Sequence, residues 1–283
     1  MLLVQQLASV GSLSIAAQVS TGGSEGHLAA LRKWITATGG DVAPVSIDEV
    51  DGLRGGFIDT ELKTLDTEFM RLPAALGLSD DPDELLTTPI GQAVGRSGLA
   101  LLQPDAHLAL RLLHEVSLGE ASLWHDHIGV LPAHVQTARH LSDGFLLACQ
   151  SDFVLEQSML ARKYASSVHT TLRRLLADGA SGAMLDEALS EEQLGWALDM
   201  VHSRSFSVDV GARGVRRFMV PVIDMLNHDP AGAAQFTYDG EDEPPSFIVE
   251  LKPGCEAPAA GEPLWLDYGK QSSEEVRTDG LGL

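Results

Sequence analysis

The chain has 283 residues, of which 44% are hydrophobic and 21% charged, and its 40 acidic and 19 basic side chains leave a net charge of −21. This composition is typical of a soluble globular protein with room for one large or two ordinary domains. Such an acidic surface repels phosphate backbones, so direct nucleic-acid binding is not expected. It would attract a basic protein or peptide, although a purely solubilising surface explains the charge equally well.

Two features bear on the compartment. Cys149 and Cys255 form neither a disulfide framework nor a paired metal motif, which fits a reducing, intracellular environment. Residues 1–23 are apolar, and the first basic residue is Arg32, so they match neither a secretory signal nor an arginine-rich transit peptide. We interpret them as a flexible leader, with organelle targeting as the alternative. They are too short and too interrupted by Gln and Ser to predict a membrane span.

The order of predicted elements is β-rich, helical, then β-rich. Residues 24–40 predict a helix that ends at a glycine pair, and the stretches "DGLRGGFIDTEL" and "TEFMRLP" predict a pair of short strands. Helical periodicity dominates from about 91 to 200, where Ser190 and Glu192-Gln193 form a capping-box pattern ahead of an apolar stripe. Strands return after residue 205, in "RRFMVPVIDML", "AAQFTYDG", "SFIVELKPG" and "PLWLDYG".

Three motifs in this order carry a resemblance: "HSRSFS" at 202–207, "VPVIDMLNHDP" at 220–230 and "GEPLWLDYG" at 261–269. The chain resembles SET-domain protein methyltransferases, in particular the subgroup of the Rubisco large-subunit lysine methyltransferase, whose SET domain is split by a helical insertion. The stretches "LRKWITATGG", "RGGFIDTELKTLDTEFMRLP" and "LALRLLHEVSLGEASLWHDHIGVLP" are also similar to that subgroup.

The resemblance implies an α+β fold of short β-sheets with a pseudoknot-like C-terminal part, interrupted by a large helical insertion. The expected organisation is a leader at 1–23, the first part of the SET domain at 24–90, the insertion at 91–195 and the second part at 196–283. The family's C-terminal substrate-binding domain does not follow in this sequence. The implied activity is methyl transfer from S-adenosylmethionine to a lysine side chain of a protein, and it requires no metal.

The implied site consists of ten residues. Tyr268 is the expected catalytic tyrosine, beside the methyl group and the incoming nitrogen; a core-packed strand tyrosine is the alternative. Cofactor binding is expected from Arg54, Gly55, Gly56, Asn227 and His228. Turn formation alone explains the glycines equally well, and it would also explain an isolated Asn-His pair. Substrate contacts are expected from Arg204, Phe206, Asp224 and Tyr238.

The sequence departs from the family pattern after Tyr268. Ser273 stands where an asparagine is expected, and Asp279-Gly280-Leu281 replaces the expected Tyr-Gly-Phe. These departures keep two alternatives open, a protein-histidine methyltransferase and a catalytically weak SET-like binding module; an acidic α+β scaffold with coincidental motifs is a third. We expect a monomer in the cytoplasm or nucleus, with a plastid or another organelle as the alternative location.

Overall fold

The computed structural model describes residues 24–50, 53–59, 68–177 and 189–268. The leader and the C-terminal departures at Ser273 and 279–281 therefore lie outside the described residues. The described chain forms two compact units, which we call the helical unit (residues 79–205) and the β unit (residues 25–78 and 206–268).

The β unit begins with helix α1 (Ser24–Ala37), which confirms the predicted helix. Strands β1 (Val45–Val50) and β2 (Leu53–Ile58) then pair antiparallel, with Val45 opposite Ile58. Strand β3 (Glu68–Pro73) pairs with β8 (Ser246–Leu251) instead of β2. The two predicted N-terminal strands thus exist, but each has another partner, because strand pairing is decided by contacts far away in sequence.

The remaining described strands complete two larger sheets. They are β4 (Leu78–Ser79), β5 (Ser205–Asp209), β6 (Val215–Met219), β7 (Ala234–Asp239), β8 and β9 (Leu266–Asp267). One sheet has the order β3-β8-β7-β9, with β9 parallel to β7, and another has the order β4-β6-β5. The predicted strand in "PLWLDYG" is therefore much shorter than expected, since only two of its residues pair regularly.

The core of the β unit is packed around the four-stranded sheet. Phe69, Leu72, Phe247, Val249 and Leu266 are all at most 1% exposed. Alternating side chains of a strand point to opposite faces, and Phe247 and Val249 share one face of β8 for that reason. This packing fixes the end of β9, where Tyr268 follows.

The helical unit confirms the predicted periodicity. Its described helices are α2 (Pro82–Leu85), α3 (Pro89–Leu99), α4 (Pro104–Leu118), α5 (His125–Val130), α6 (Asp143–Ala148), α7 (Asp152–Ala177) and α8 (Glu191–Arg204). Helix α8 begins with the predicted capping box, in which the Ser190 hydroxyl accepts from the Gln193 N–H and the Gln193 side chain accepts from the Ser190 N–H. Its buried side, including Leu194, Leu198 and Val201, packs against α4.

A buried carboxylate ties the helical unit together. Asp199, 3% exposed, accepts hydrogen bonds from Arg139 Nε at 2.8 Å, Arg139 Nη2 at 2.6 Å, Thr137 Oγ1 at 2.7 Å and lies 2.9 Å from His140 Nε2. Burial pushes the pKa of Asp199 up, but the bonds from Arg139, His140 and Thr137 outweigh it and lower the pKa below its ordinary value. Asp199 therefore stays charged and fully bonded within the helices.

Candidate functional site

The candidate site is built on the segment that follows β6. Val222 has φ 69° and ψ −45°, a backbone conformation that is rare for a β-branched residue, and it starts a single 3-10 turn over Ile223–Met225. This turn redirects the chain, so that Leu226, Asn227 and His228 run past β2 and the end of β9. Strained backbone of this kind is concentrated at functional sites.

Asn227 is fixed to strand β2. Its side-chain nitrogen donates a hydrogen bond of 2.9 Å to the carbonyl oxygen of Arg54, a residue 173 positions away. A Cβ atom on Gly55 would lie 2.4 Å from the same nitrogen, and a Cβ atom on Gly56 would lie 2.3 Å from Leu226 Cδ2. Glycine at both positions thus leaves room for this approach, since a Cβ atom there would force the ends of the Asn227 and Leu226 side chains to move.

Tyr268 is held by the same segment. Its hydroxyl donates a 2.6 Å hydrogen bond to the carbonyl oxygen of Leu226. Its backbone N–H donates to Nδ1 of His228 at 3.1 Å, and the His228 ring stacks on the tyrosine ring with 4.8 Å between centroids and an interplanar angle of 26°. Tyr268, Leu226 and His228 therefore form one connected group with Asn227.

Short strand β9 places Tyr268 at this position. The N–H of Leu266 donates to the carbonyl oxygen of Asn227 at 2.9 Å, and Leu266 lies opposite Ala234 on β7. The ammonium group of Lys252 contacts Asp267 at 2.9 Å, with both side chains about three-quarters buried. Backbone pairing on one side and an ion pair on the other therefore fix the residue immediately before Tyr268.

Two phenylalanine rings pack next to Tyr268. The ring of Phe206 meets the ring of Tyr268 edge to face at 5.7 Å and packs on Phe236 at 4.6 Å. Phe236 was missed from the sequence, although its alternation with Tyr238 along β7 is the period-two signal of one strand face. Tyr238 lies farther along that face, against Phe247 at 5.6 Å.

The other predicted residues occupy varied positions. Asp224 is 5% exposed and lies in the 3-10 turn, where its N–H donates to the carbonyl oxygen of Val220. Arg54 is half-buried in β2 and lies opposite Glu49. Arg204 is the last residue of α8 in the helical unit, two positions before Phe206. The structure thus brings together Tyr268, Asn227, His228, Phe206 and the Arg54–Gly56 backbone within the β unit.

Several polar groups at this position make no hydrogen bond to another described residue. Neither the N–H nor the C=O of half-buried His228 makes a backbone hydrogen bond among the described residues, although the carbonyl of its neighbour Asn227 does. The side-chain oxygen of Asn227 likewise has no partner in the described part of the chain. Part-buried groups of this kind are normally satisfied by a ligand or water. They suit a ligand that carries both donors and acceptors.

A second concave feature lies in the helical unit. A pocket of about 270 Å³ is lined by residues of α7 and α8 and by the segment at 137–139. It includes none of the residues predicted for the methyl-transfer site.

The fold defined by these elements is that of a SET domain. The structure superimposes on the SET domain of LSMT bound to lysine and AdoHcy with a TM-score of 0.68, at 19% identity over 90% of this chain and 57% of that one. It superimposes on Rubisco LSMT bound to AdoMet with a TM-score of 0.66, at 21% identity over 90% of this chain and 55% of that one. The predicted α+β SET fold is therefore confirmed.

Sequence comparison points to the same relative. The chain is 22% identical over 223 residues to the chloroplastic ribulose-1,5 bisphosphate carboxylase/oxygenase large subunit N-methyltransferase of Pisum sativum, covering 74% of this chain and 42% of that protein. No profile of a known protein family matches the chain. The chain thus spans about half the length of the relatives that it matches.

Proposed function

We propose that this chain is an S-adenosylmethionine-dependent protein N-methyltransferase that acts on a lysine side chain. The observation that carries the proposal is the group formed by Tyr268, Leu226, Asn227 and His228, placed on a SET fold. The named relative is a Rubisco N-methyltransferase, and the solved relatives hold AdoMet, AdoHcy or lysine.

Asn227 and His228 would hold the cofactor. The side-chain oxygen of Asn227 and the main-chain groups of His228 offer acceptors and a donor side by side. Gly55 and Gly56 act indirectly, since they allow residues 226–227 to lie against β2. Arg54 contributes the carbonyl oxygen that orients the Asn227 amide. When bound, the cofactor supplies an electrophilic methyl group on a sulfonium.

The reacting amine must arrive neutral, because an ammonium has no lone pair to donate. S-adenosylmethionine held at Asn227 and His228 would supply its methyl group to this lone pair, and its S–C bond would break as the new C–N bond forms. Phe206 and Phe236 line the approach to Tyr268 with apolar surface, and such desolvation disfavours a charged ammonium. Tyr268, held by Leu226, presents its hydroxyl oxygen to the reacting atoms in a fixed orientation.

The charge of the protein suggests the kind of substrate that it methylates. A net charge of −21 favours a basic substrate segment, with Arg204, Asp224 and Tyr238 as further contact residues. We propose that the protein acts as a monomer inside the cell, and the chloroplastic location of its relative supports a plastid as one site of action. Among the described residues, no helix is both long and apolar enough to cross a membrane.

Titration of S-adenosylmethionine into the full chain tests the cofactor site. Wild type and a Gln157→Ala control in the helical unit should bind, whereas Asn227→Ala should lose about tenfold or more in affinity, since it removes an oriented polar contact. Equal affinity of Asn227→Ala and wild type would exclude this site.

Transfer is then tested with labelled cofactor and a peptide library containing central lysine or histidine. Amino-acid analysis of the products distinguishes methyllysine from methylhistidine. Methyllysine supports the proposal, methylhistidine would replace it with the histidine alternative, and binding without transfer to any peptide would favour the binding module.

A further inference from the structure

The Nδ1 atom of His228 lies between a hydrogen-bond acceptor and a hydrogen-bond donor. Nδ1 lies 3.0 Å from the carbonyl oxygen of Leu266, an acceptor, and 3.1 Å from the backbone nitrogen of Tyr268, a donor. One ring nitrogen carries either a proton or a lone pair, so it can serve only one of these groups at a time. The tautomer of His228 therefore determines which neighbour it holds.

The carbonyl oxygen of Leu266 does not depend on this imidazole. It accepts a hydrogen bond from the backbone N–H of Asp229 at 3.2 Å whatever the state of the ring. The bond from Tyr268 to Nδ1, by contrast, exists only when Nδ1 keeps its lone pair. Because the backbone N–H of Tyr268 is directed at Nδ1, this nitrogen has the geometry of an acceptor, which places the ring proton on Nε2.

The stacking of the two rings also shows that the side chain of His228 contacts Tyr268. The imidazole is stacked on the Tyr268 ring at 4.8 Å and 26°, so His228 contacts both the backbone and the side chain of Tyr268. The ring of Phe206 also meets the Tyr268 ring edge to face, and the tyrosine hydroxyl is directed to Leu226. His228 thus contributes two of the contacts that orient Tyr268.

We propose that His228 is a positioning residue, which orients Tyr268 through an unprotonated Nδ1 and through ring stacking, with its ring proton on Nε2. This assigns the side chain of His228 to the tyrosine and leaves its main-chain groups for the cofactor. The consequence for catalysis rests on the function proposed above, whereas the tautomer and the contact with Tyr268 do not.

Nitrogen-15 spectra of the histidine rings of the full chain test the tautomer directly. The His228 signals are identified by their absence in His228→Asn. We expect the neutral ring to be protonated on Nε2. A ring protonated on Nδ1 would overturn the proposal, because Nδ1 would then donate to Leu266 and would not accept from Tyr268.

Two substitutions separate the contacts. His228→Asn retains an acceptor oxygen near the position of Nδ1 but removes the ring, whereas His228→Phe retains a ring but removes the acceptor. The chain has three tyrosines, so tyrosine-specific nitrogen-15 labelling gives at most three amide signals, and Tyr268→Phe identifies one of them. Exposed His134 in the helical unit provides matched control substitutions to Asn and Phe.

Amide hydrogen exchange at Tyr268 should become about tenfold faster in His228→Phe, as expected for loss of one hydrogen bond, and change by less than about threefold in His228→Asn. Equal acceleration in both variants would overturn the role of Nδ1.

Kinetics test the role of His228 in catalysis. In an active enzyme, His228→Phe should lower kcat and leave the KM for the cofactor nearly unchanged. A rise in KM with kcat unchanged would argue against positioning. If wild type transfers no methyl group but the tautomer and exchange behave as expected, only the proposed function fails.

Discussion

The hydroxyl of Tyr268 donates a 2.6 Å hydrogen bond to the carbonyl oxygen of Leu226, the residue just before Asn227. The group expected to face the reacting atoms is thus attached directly to the segment expected to hold the cofactor. Any shift of residues 226–228 therefore moves the tyrosine hydroxyl as well. This coupling underlies the first two predictions.

Tyr268→Phe should separate binding from turnover. Removal of one hydroxyl should reduce the free energy of unfolding by about 1 kcal/mol and leave cofactor affinity within about threefold of wild type. Turnover should fall by about a hundredfold or more, as is usual when a group that acts on the transition state is lost. Calorimetric titration and a methyl-transfer assay measure the two effects. Tyr164→Phe in the helical unit is the control, since it also removes one hydrogen-bonding hydroxyl, and it should retain activity; equal losses in both variants would argue against the special role of Tyr268.

Gly55→Ala should disrupt the cofactor site from strand β2. The added methyl group would lie 2.4 Å from Asn227 Nδ2, so the Asn227 amide must leave the carbonyl oxygen of Arg54. We expect cofactor affinity to fall by about tenfold, since one hydrogen bond that orients the amide is lost. The matched control is Gly26→Ala in α1, where no atom lies within 4 Å of the new Cβ. Unchanged affinity in Gly55→Ala would show that this packing is not needed for binding.

The positive φ of Val222 predicts an unusual order of stability among substitutions at this position. Val222→Ala and Val222→Gly remove the same branched atoms, but only alanine keeps a Cβ at positive φ. The glycine variant should therefore be the more stable of the two by about 1 kcal/mol in urea unfolding. Val220 is fully buried and has no positive φ, so there the alanine variant should be the more stable by about 0.5–1 kcal/mol. The same ordering at both positions would contradict the strain at Val222.

Asp199 should contribute to the pH dependence of stability. Its folded pKa is lowered below the ordinary 3.8, so its contribution is complete above about pH 4 and is lost as the pH falls through the folded value. Asp199→Asn should lower the free energy of unfolding by about 3 kcal/mol at neutral pH, because Arg139 loses its charged partner. The loss relative to wild type should shrink as the pH falls below 4.

Urea unfolding at several pH values measures this effect. Asp143→Asn is the matched control, since Asp143 also pairs with an arginine, Arg162, but is 84% exposed. Its effect should stay below about 1 kcal/mol, as is usual for a surface ion pair. A loss for Asp199→Asn that does not change with pH would contradict the lowered pKa.

Local patterns predicted the elements better than their partners. The helix over Ser24–Ala37 and the capping box at Ser190 follow from periodicity and from side chains three residues apart, and both are confirmed. The partner of β3 was not predictable, because β8 lies more than 170 residues later in the chain. The length of β9 was overestimated, since its alternating residues indicate a strand but do not indicate how many of them find a neighbour.

In the candidate site, too, the sequence predicted which residues take part but not how they contact one another. Resemblance to a family placed Tyr268, Asn227 and His228 in one site, and the structure brings them into contact. It did not reveal why Gly55 is a glycine, since the reason is the side chain of Asn227. Phe236 was missed because a single phenylalanine on a strand is ordinary core material until its neighbours are known.

The bond between Asn227 and Arg54 has a kinetic consequence. It closes a loop of 173 residues that contains the entire helical unit, whereas the backbone hydrogen bonds within each helix join residues only four positions apart. Contacts between residues far apart in the chain form slowly, because a long loop must be ordered first. We expect helical signals to appear early during refolding and cofactor binding to appear last. Stopped-flow circular dichroism and cofactor binding, followed on the same sample, would resolve the two phases.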